Sequence, residues 1–152
     1  MTYYSYIFDE FLDKITDPEL LMLTDNVLDD TLESLLRKAV ARVQRDFATA
    51  IDLSETINDD NGKAFVADLP YEVVDILTEW MVAYWLKPYV NNLENLRNNL
   101  NTKDFTSFSP ANLLEKVGDR YTAARRYARS LSNEYSIVIN DLTTLTTSKK
   151  RR

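Results

Sequence analysis

The sequence predicts a mainly α-helical protein, and three observations support that prediction. Apolar residues recur at steps of three and four along three long stretches, which is the spacing of one face of a helix. The 152 residues include only two glycines and four prolines, too few for a fold rich in tight turns. A chain of this length can bury a real core within one domain. We therefore expect a small bundle of three long helices plus a short N-terminal helix.

The first two helices are predicted over residues 3–15 and 26–51. The second carries acidic residues in its first half and basic residues in its second half, an order that suits the helix dipole. This charge split is typical of a solvated helix face. It also fits an electrostatic strip that docks against another copy of the chain. The residues that would form such a contact are Asp29, Asp30, Arg37 and Lys38.

Residues 54–67 interrupt the helical spacing with a cluster of turn-forming residues. Apolar residues flank Asn61-Gly62, so a short β-hairpin across this dipeptide fits the pattern. The run from Asp59 to Gly62 lacks the alternating ligand spacing of a calcium loop. We expect an exposed loop or hairpin here and no metal site.

The central helix is predicted from Asp68 to residue 99 and contains both tryptophans, Trp80 and Trp85. Its apolar residues cover so much of the circumference that neighbours should surround it. We expect a buried structural helix, with an aromatic ligand pocket as the alternative. Pro88 lacks an N–H group and should kink or end the helix near residues 86–87.

Ser109-Pro110 predicts the start of the last long helix, which we expect over residues 110–135. Its outer face is basic because of four arginines. Such a face is commonly solvated, but it could also grip phosphate or an acidic partner. The four residues are Arg120, Arg125, Arg126 and Arg129.

The end of the chain differs in composition from the rest. Residues 135–139 are rich in β-branched side chains and predict a strand. Residues 142–152 are rich in threonine, end in four cations, and predict an extended flexible tail. We therefore divide the chain into a helical domain, 1–141, and a basic C-terminal tail, 142–152. The tail residues suited to binding a partner are Leu142, Leu145, Lys149, Lys150, Arg151 and Arg152.

Composition also argues against several functions. Without histidine or cysteine the chain lacks the commonest general base, the usual nucleophile pairs and most zinc ligands. Two isolated glycines form no phosphate-binding loop. A net charge of −6 disfavours wrapping of nucleic acid. No apolar run approaches the ~20 residues of a membrane span, and synthesis in the cytoplasm is expected. We expect no enzymatic activity, no catalytic residues and no cofactor.

Four segments carry a family resemblance. Residues 79–90, with Trp80, Trp85 and Pro88, followed by 94–98, resemble the central region of head–tail connector (adaptor) proteins of tailed bacteriophages. Residues 102–114 resemble a later part of these proteins, and 11–17 their start. The resemblance spans residues 7–142 and rests on pattern rather than on a catalytic motif.

The resemblance implies a virion structural protein at the head–tail interface. Proteins that this chain resembles are small and helical, and they form a cyclic ring, usually of about twelve copies, under the portal. The ring extends the DNA channel without specific DNA binding and offers a docking surface to a neck or tail protein. The C-terminal end commonly reaches the portal, which implies that role for Leu142, Leu145 and Lys149 to Arg152. Arg125 and Arg129 would join Asp29, Asp30, Arg37 and Lys38 between subunits.

A second function also fits the sequence. A small helical regulatory protein could bind nucleic acid or an acidic protein through the arginine face of the last helix. Salt-dependent binding of duplex DNA would favour this alternative, because an adaptor should show none.

Overall fold

A computed structural model describes residues 1–15, 20, 22–47, 51–99 and 110–149. Within these ranges it confirms a mainly α fold of three long helices plus a short N-terminal helix, with a small antiparallel sheet. In chain order the elements are β1 (Thr2–Tyr3), α1 (Tyr4–Lys14), α2 (Asp25–Phe47), β2 (Thr56–Asp59), β3 (Gly62–Phe65), α3 (Tyr71–Asn99) and α4 (Pro110–Lys149).

Helix α3 lies at the centre of the bundle and packs against α1, α2 and α4. It begins where the carbonyl of Pro70 accepts hydrogen bonds from the N–H groups of Val73 and Val74, at 3.0 and 3.2 Å. Because apolar residues cover most of its circumference, its first half is buried on several sides. This confirms the predicted buried helix. Its buried residues include Val73, Val74, Ile76, Leu77, Trp80, Met81, Ala83 and Leu86.

The helix was predicted to kink or end near residues 86–87. It does not end there, because α3 runs through Pro88 to Asn99, and the kink stays a prediction. A proline removes one helical hydrogen bond, but packing on both sides can hold the helix together. The rings of Trp85 and Tyr89 flank Pro88 and meet edge to face, with centroids 5.6 Å apart. Aromatic contacts of this geometry stabilise the turn that contains the proline.

The predicted hairpin is confirmed. Strands β2 and β3 pair antiparallel with Asp59 opposite Gly62, so the turn residues are Asp60 and Asn61. Gly62 takes the left-handed backbone conformation, with φ of 110°, that a side chain would disfavour. The N–H of Asn61 donates to Oδ1 of Asp59 at 2.8 Å and closes the turn.

Strand β1 was not predicted, because two residues are too few to show a period. It pairs with the other edge of β3, which gives the strand order β1-β3-β2. Thr2 lies opposite Phe65, and its Oγ1 accepts a hydrogen bond from the N–H of Leu69 at 2.8 Å. The start of the chain is thereby tied to the segment that leads into α3.

The predicted strand at 135–139 and the extended tail from 142 are both wrong, since α4 is helical from Pro110 to Lys149. Ala128, Ser132 and Tyr135 lie at steps of four and three, and the ring of Tyr135 meets that of Phe47 at 5.1 Å. Helical spacing at the contact face outweighs the few tenths of a kcal/mol by which β-branched residues disfavour helix. The flexibility of 142–152 stays a prediction, and Lys150, Arg151 and Arg152 lie outside the described residues.

A buried hydrogen bond joins α3 to α4, and a second one within α4 supports it. The indole N–H of Trp80 donates to Oγ of Ser132 at 3.0 Å, and that hydroxyl donates to the carbonyl of Ala128 at 2.8 Å. Both side chains are buried, and the indole N–H and the Ser132 hydroxyl each have a hydrogen-bond partner, as buried polar groups require. The contacts fix the rotation of α4 relative to α3.

A half-buried cluster joins α1 to α3. The ammonium group of Lys14 donates to the carboxylates of both Asp75 and Glu79. Burial alone would lower the pKa of Lys14, but hydrogen bonds to the two carboxylates outweigh it and the pKa is raised. The charged form of Lys14 is therefore part of the folded structure.

Candidate functional site

A cleft between α3 and α4 gathers basic side chains from three helices. It consists of two adjoining concavities of about 180 and 240 Å³ that share Arg42, Trp80 and Arg125 in their walls. We call this surface the basic cleft. Its cationic residues are Arg42 from α2, Lys87 from α3, and Arg125, Arg126 and Arg129 from α4.

Aromatic rings position two of the guanidinium groups. That of Arg42 lies over the ring of Trp80, 4.9 Å from its centroid, and that of Arg125 lies 5.5 Å from the ring of Tyr121. Trp80 is only 4% exposed and is held by Ser132, so it forms a rigid floor. Cation–π contacts hold a charge in place without neutralising it. The cleft is therefore preorganised for an anionic group.

The electrostatics of the basic cleft contrast with those of the whole chain. The net charge of the protein is −6, yet among the described residues no aspartate or glutamate lines either concavity. Concave surfaces lined by one sign of charge focus their potential and attract the opposite sign. The arrangement can bind carboxylates or phosphates.

The start of α2 presents the opposite charge. Asp29 and Asp30 are exposed and line a polar concavity of about 610 Å³ between α1, α2 and the hairpin. Glu33 lies in the same concavity, but both of its carboxylate oxygens accept hydrogen bonds from Lys63, at 2.6 and 2.7 Å. The two aspartates are thus the more available carboxylates of this concavity.

An apolar groove of about 670 Å³ lies between the start of α2 and the Pro88 region of α3. Its walls include the exposed side chains of Val27 and Tyr89, and Asp30 and Lys38 contribute charges. Because Pro88 has no N–H group, it cannot donate to the carbonyl of Tyr84 four residues earlier. The other apolar residues that line the apolar groove are Leu20, Leu23, Leu35, Tyr84, Trp85 and Pro88.

The structure distributes the predicted inter-subunit residues over separate surfaces. Arg125 and Arg129 lie in the basic cleft, Asp29 lines the polar concavity, and Asp30 borders both that concavity and the apolar groove. Lys38 lines the apolar groove. No one surface brings all of them together.

Arg37 lies near the N-terminal helix, where it acts on Tyr4. Burial raises the pKa of the Tyr4 hydroxyl, the carboxylate of Glu33 raises it further, and Arg37 opposes both. Arg37 is exposed but lines neither the apolar groove nor the basic cleft as described. Its predicted role between subunits stays a prediction.

Sequence reasoning missed three members of the basic cleft, namely Arg42, Trp80 and Lys87. They belong to helices that are distant in sequence from α4, and only the packing of the bundle brings them together. The predicted tail residues Leu142, Leu145 and Lys149 fall on the helical backbone of α4. Their role in binding a partner stays a prediction.

Metal ligation and membrane insertion can be assessed for the described residues. Among them no group of three or more acidic side chains is placed to hold a metal ion. In the same part of the chain, no helix combines the length and the hydropathy needed to cross a membrane.

Comparison of the chain with protein-family models, with curated proteins and with solved structures gives no match. The resemblance to connector proteins therefore stays a prediction.

Proposed function

We propose that this protein is a virion structural adaptor that forms a ring under a portal, extends the DNA channel and presents a docking surface to a neck or tail protein. The observation that supports this most is the length of α4. The helix spans 40 residues, and Ile137 and Val138 near its end are 61% and 55% exposed. Leu142 and Leu145 follow Val138 at steps of four and three, the spacing of a helical contact stripe. Such a helix is suited to burial in an assembly.

The apolar groove supports the same proposal from another part of the molecule. A contiguous exposed apolar surface of this kind commonly marks a site of protein contact. Val27 and Tyr89 keep 49% and 41% of their surface exposed in the single chain. A neck or tail protein that covers this groove would bury them and gain hydrophobic free energy.

Assembly makes weak single contacts sufficient. In a cyclic ring each subunit meets its neighbour through two different faces, and each also contacts the portal. When many identical subunits bind together, the later contacts form at a high effective concentration. A net charge of −6 further suits a channel through which DNA moves without adhering.

The test removes residues 142–152 and measures co-sedimentation with capsids that carry the portal. The truncated chain should fold, as checked by circular dichroism, but should lose binding because the C-terminal residues contact the portal. Capsids without portal serve as the control and should bind neither protein. Full occupancy of portal-bearing capsids by the truncated chain would show that the tail assignment is wrong.

A matched variant separates the two kinds of tail residue. Replacing the four cations at 149–152 with serine leaves Leu142 and Leu145 in place. If portal binding depends on charge, this variant should bind more weakly and should lose less than the full truncation. Images of the intact protein on purified portals should show rings, and their absence would count against the adaptor role itself.

The basic cleft favours a second candidate function, a small regulatory protein that binds nucleic acid or an acidic protein. Arg125, Arg126 and Arg129 lie there on one side of α4 beside Trp80, and Lys87 from α3 adds a further cation. If the protein has this function, the isolated protein should bind duplex DNA or an acidic protein, and the affinity should fall as the salt concentration rises. The adaptor proposal expects no shift with DNA.

A further inference from the structure

We infer that the basic cleft of one copy receives the acidic start of α2 from a second copy. This inference rests on the proposed function, because a ring requires two different faces that fit one another. It names those faces, which the adaptor proposal by itself leaves open. The acidic face consists of Asp25, Asp29 and Asp30, and the basic face of Arg125, Arg126 and Arg129.

The acidic face is exposed and charged. Asp25, Asp29 and Asp30 all lie in the first two turns of α2, and none of the ion pairs in the described part of the chain involves them. The dipole of a helix favours negative charge near its N-terminus. These carboxylates are therefore available to a partner.

The three arginines of α4 are equally available. Arg125, Arg126 and Arg129 are exposed, and within the described residues no ion pair involves them. Arg125 contacts the ring of Tyr121, which orients the guanidinium group but leaves its charge unbalanced. Arginine is suited to carboxylate partners because its planar group can donate two parallel hydrogen bonds.

The spacing of the two sets matches when the helices run antiparallel. Taken backwards from Asp30, the acidic residues follow at one step and then four. Taken forwards from Arg125, the arginines follow at one step and then three. Residues three and four apart lie on the same face of a helix. Asp25 and Asp29 therefore share one face of α2, and Arg126 and Arg129 share one face of α4. Two ion pairs can form together between these faces, Asp29 with Arg126 and Asp25 with Arg129, while Asp30 and Arg125 add charge beside them.

The two faces cannot satisfy one another within one chain. Arg42 marks the cleft on α2, and it lies twelve residues after Asp30 in the same continuous helix. At 1.5 Å per residue the two are separated by about 18 Å. The acidic start of α2 must therefore reach the cleft of another molecule. A contact between two different faces closes into a ring when its rotation allows.

Duplex DNA fits the cleft less well than a helix bearing carboxylates. The two concavities, of about 180 and 240 Å³, have the size of individual side chains. The net charge of −6 repels a polyanion at long range, whereas a second copy brings only a local cluster of acids. DNA is nevertheless the competing occupant, and the test includes it.

Cysteine cross-linking tests the contact directly, because the chain has no cysteine of its own. The double variant Asp29→Cys with Arg126→Cys retains the ion pair of Asp25 with Arg129. A short bismaleimide should join one copy to the next and give a ladder of oligomers in denaturing electrophoresis. The matched control pairs Asp29→Cys with Lys116→Cys, since Lys116 is exposed on α4 outside the described cleft lining. An absent ladder, or an equal ladder from the control, would overturn the inference.

Charge reversal tests the electrostatic basis. The variants Asp29→Lys/Asp30→Lys and Arg125→Glu/Arg129→Glu should each self-associate at least about tenfold more weakly, as measured by sedimentation velocity. Mixing the two should restore association, because each reversed face then meets a reversed partner. A salt concentration of about 1 M, where the Debye length is about 3 Å, should weaken the wild-type contact. Failure of the mixture to associate would contradict the pairing.

Two further outcomes separate this inference from the adaptor role. Stoichiometric binding of duplex DNA that the Arg125→Glu/Arg129→Glu variant abolishes would assign the cleft to nucleic acid instead. Binding of the wild type to portal-bearing capsids without any cross-linked ladder would overturn the cleft contact and leave the adaptor role standing. A ladder without capsid binding would do the reverse.

Discussion

Helices α3 and α4 are both long, but they are used differently. The first half of α3 is buried on several sides, with residues such as Leu77 and Met81 entirely enclosed. Among the described side chains of α4, only Ala128 and Ser132 are buried. One helix holds the bundle together, whereas the other contributes a narrow line of contact and leaves most of its surface available. The core of the bundle and the proposed contact with the portal therefore reside in different helices.

The largest expected effect is on the buried helix. Leu77→Ala should lower the free energy of unfolding by about 2–5 kcal/mol, because the lost methyl groups leave a cavity in the centre of the bundle. Urea denaturation measures the change. Leu113→Ala on α4 is the matched control, since Leu113 is half exposed and its loss should cost less than about 0.5 kcal/mol. Equal losses in the two variants would remove the distinction between the helices.

An intermediate effect is expected where α3 meets α1. Lys14→Met leaves Asp75 and Glu79 half-buried without their cation and should cost about 1–3 kcal/mol at neutral pH. Lys63→Met, which breaks the more exposed pair with Glu33, should cost less than about 1 kcal/mol. Urea unfolding of both variants beside the wild type gives the comparison.

The Lys14 cluster also has a defined pH dependence. The pKa of Lys14 in the folded state lies above its ordinary value of 10.5. Its contribution is therefore fully present below that value and is lost as pH rises through the folded pKa. The difference between wild type and Lys14→Met should narrow in unfolding measurements above pH 10.5. A difference that widens there would show that the ammonium charge does not stabilise the fold.

The smallest effect on stability is expected at the exposed end of α4. Ile137→Ser should change the free energy of unfolding by less than about 0.5 kcal/mol, because the side chain is 61% exposed. The same variant should reduce occupancy of portal-bearing capsids if this part of α4 is buried in the assembly. Unchanged occupancy would restrict the contact to residues after Val138.

Long apolar periods made the helices predictable, and local chemistry did not always decide where they end. Helix α3 continues beyond Pro88, where the rings of Trp85 and Tyr89 contact each other across the turn that contains the proline. The run at 137–139 has the composition of a strand, yet contacts made by Tyr135 and Ser132 keep it in register with the rest of α4. Tertiary contacts outweighed propensity in both places.

The binding surfaces were less predictable than the helices. The arginines of α4 are visible in the sequence as a basic face, so Arg125 and Arg129 could be named in advance. Arg42 and Lys87 could not be assigned to it in advance, because Arg42 belongs to the basic second half of α2, which is typical of a solvated face, and Lys87 is an isolated cation among apolar residues of α3. A surface built from three helices depends on their rotation about their own axes. That rotation is fixed here by buried contacts such as the one between Trp80 and Ser132.

The proline within α3 has a consequence for whatever molecule covers the apolar groove. Main-chain carbonyls inside a regular helix accept hydrogen bonds from N–H groups of the same helix, so a binding partner normally contacts only the side chains. The oxygen of Tyr84 lacks this donor, because residue 88 is a proline and has no N–H group. An amide or hydroxyl group of the molecule that covers the apolar groove can therefore donate a hydrogen bond to this main-chain oxygen. A hydrogen bond is directional, so it would fix the orientation of a contact that hydrophobic burial alone does not fix.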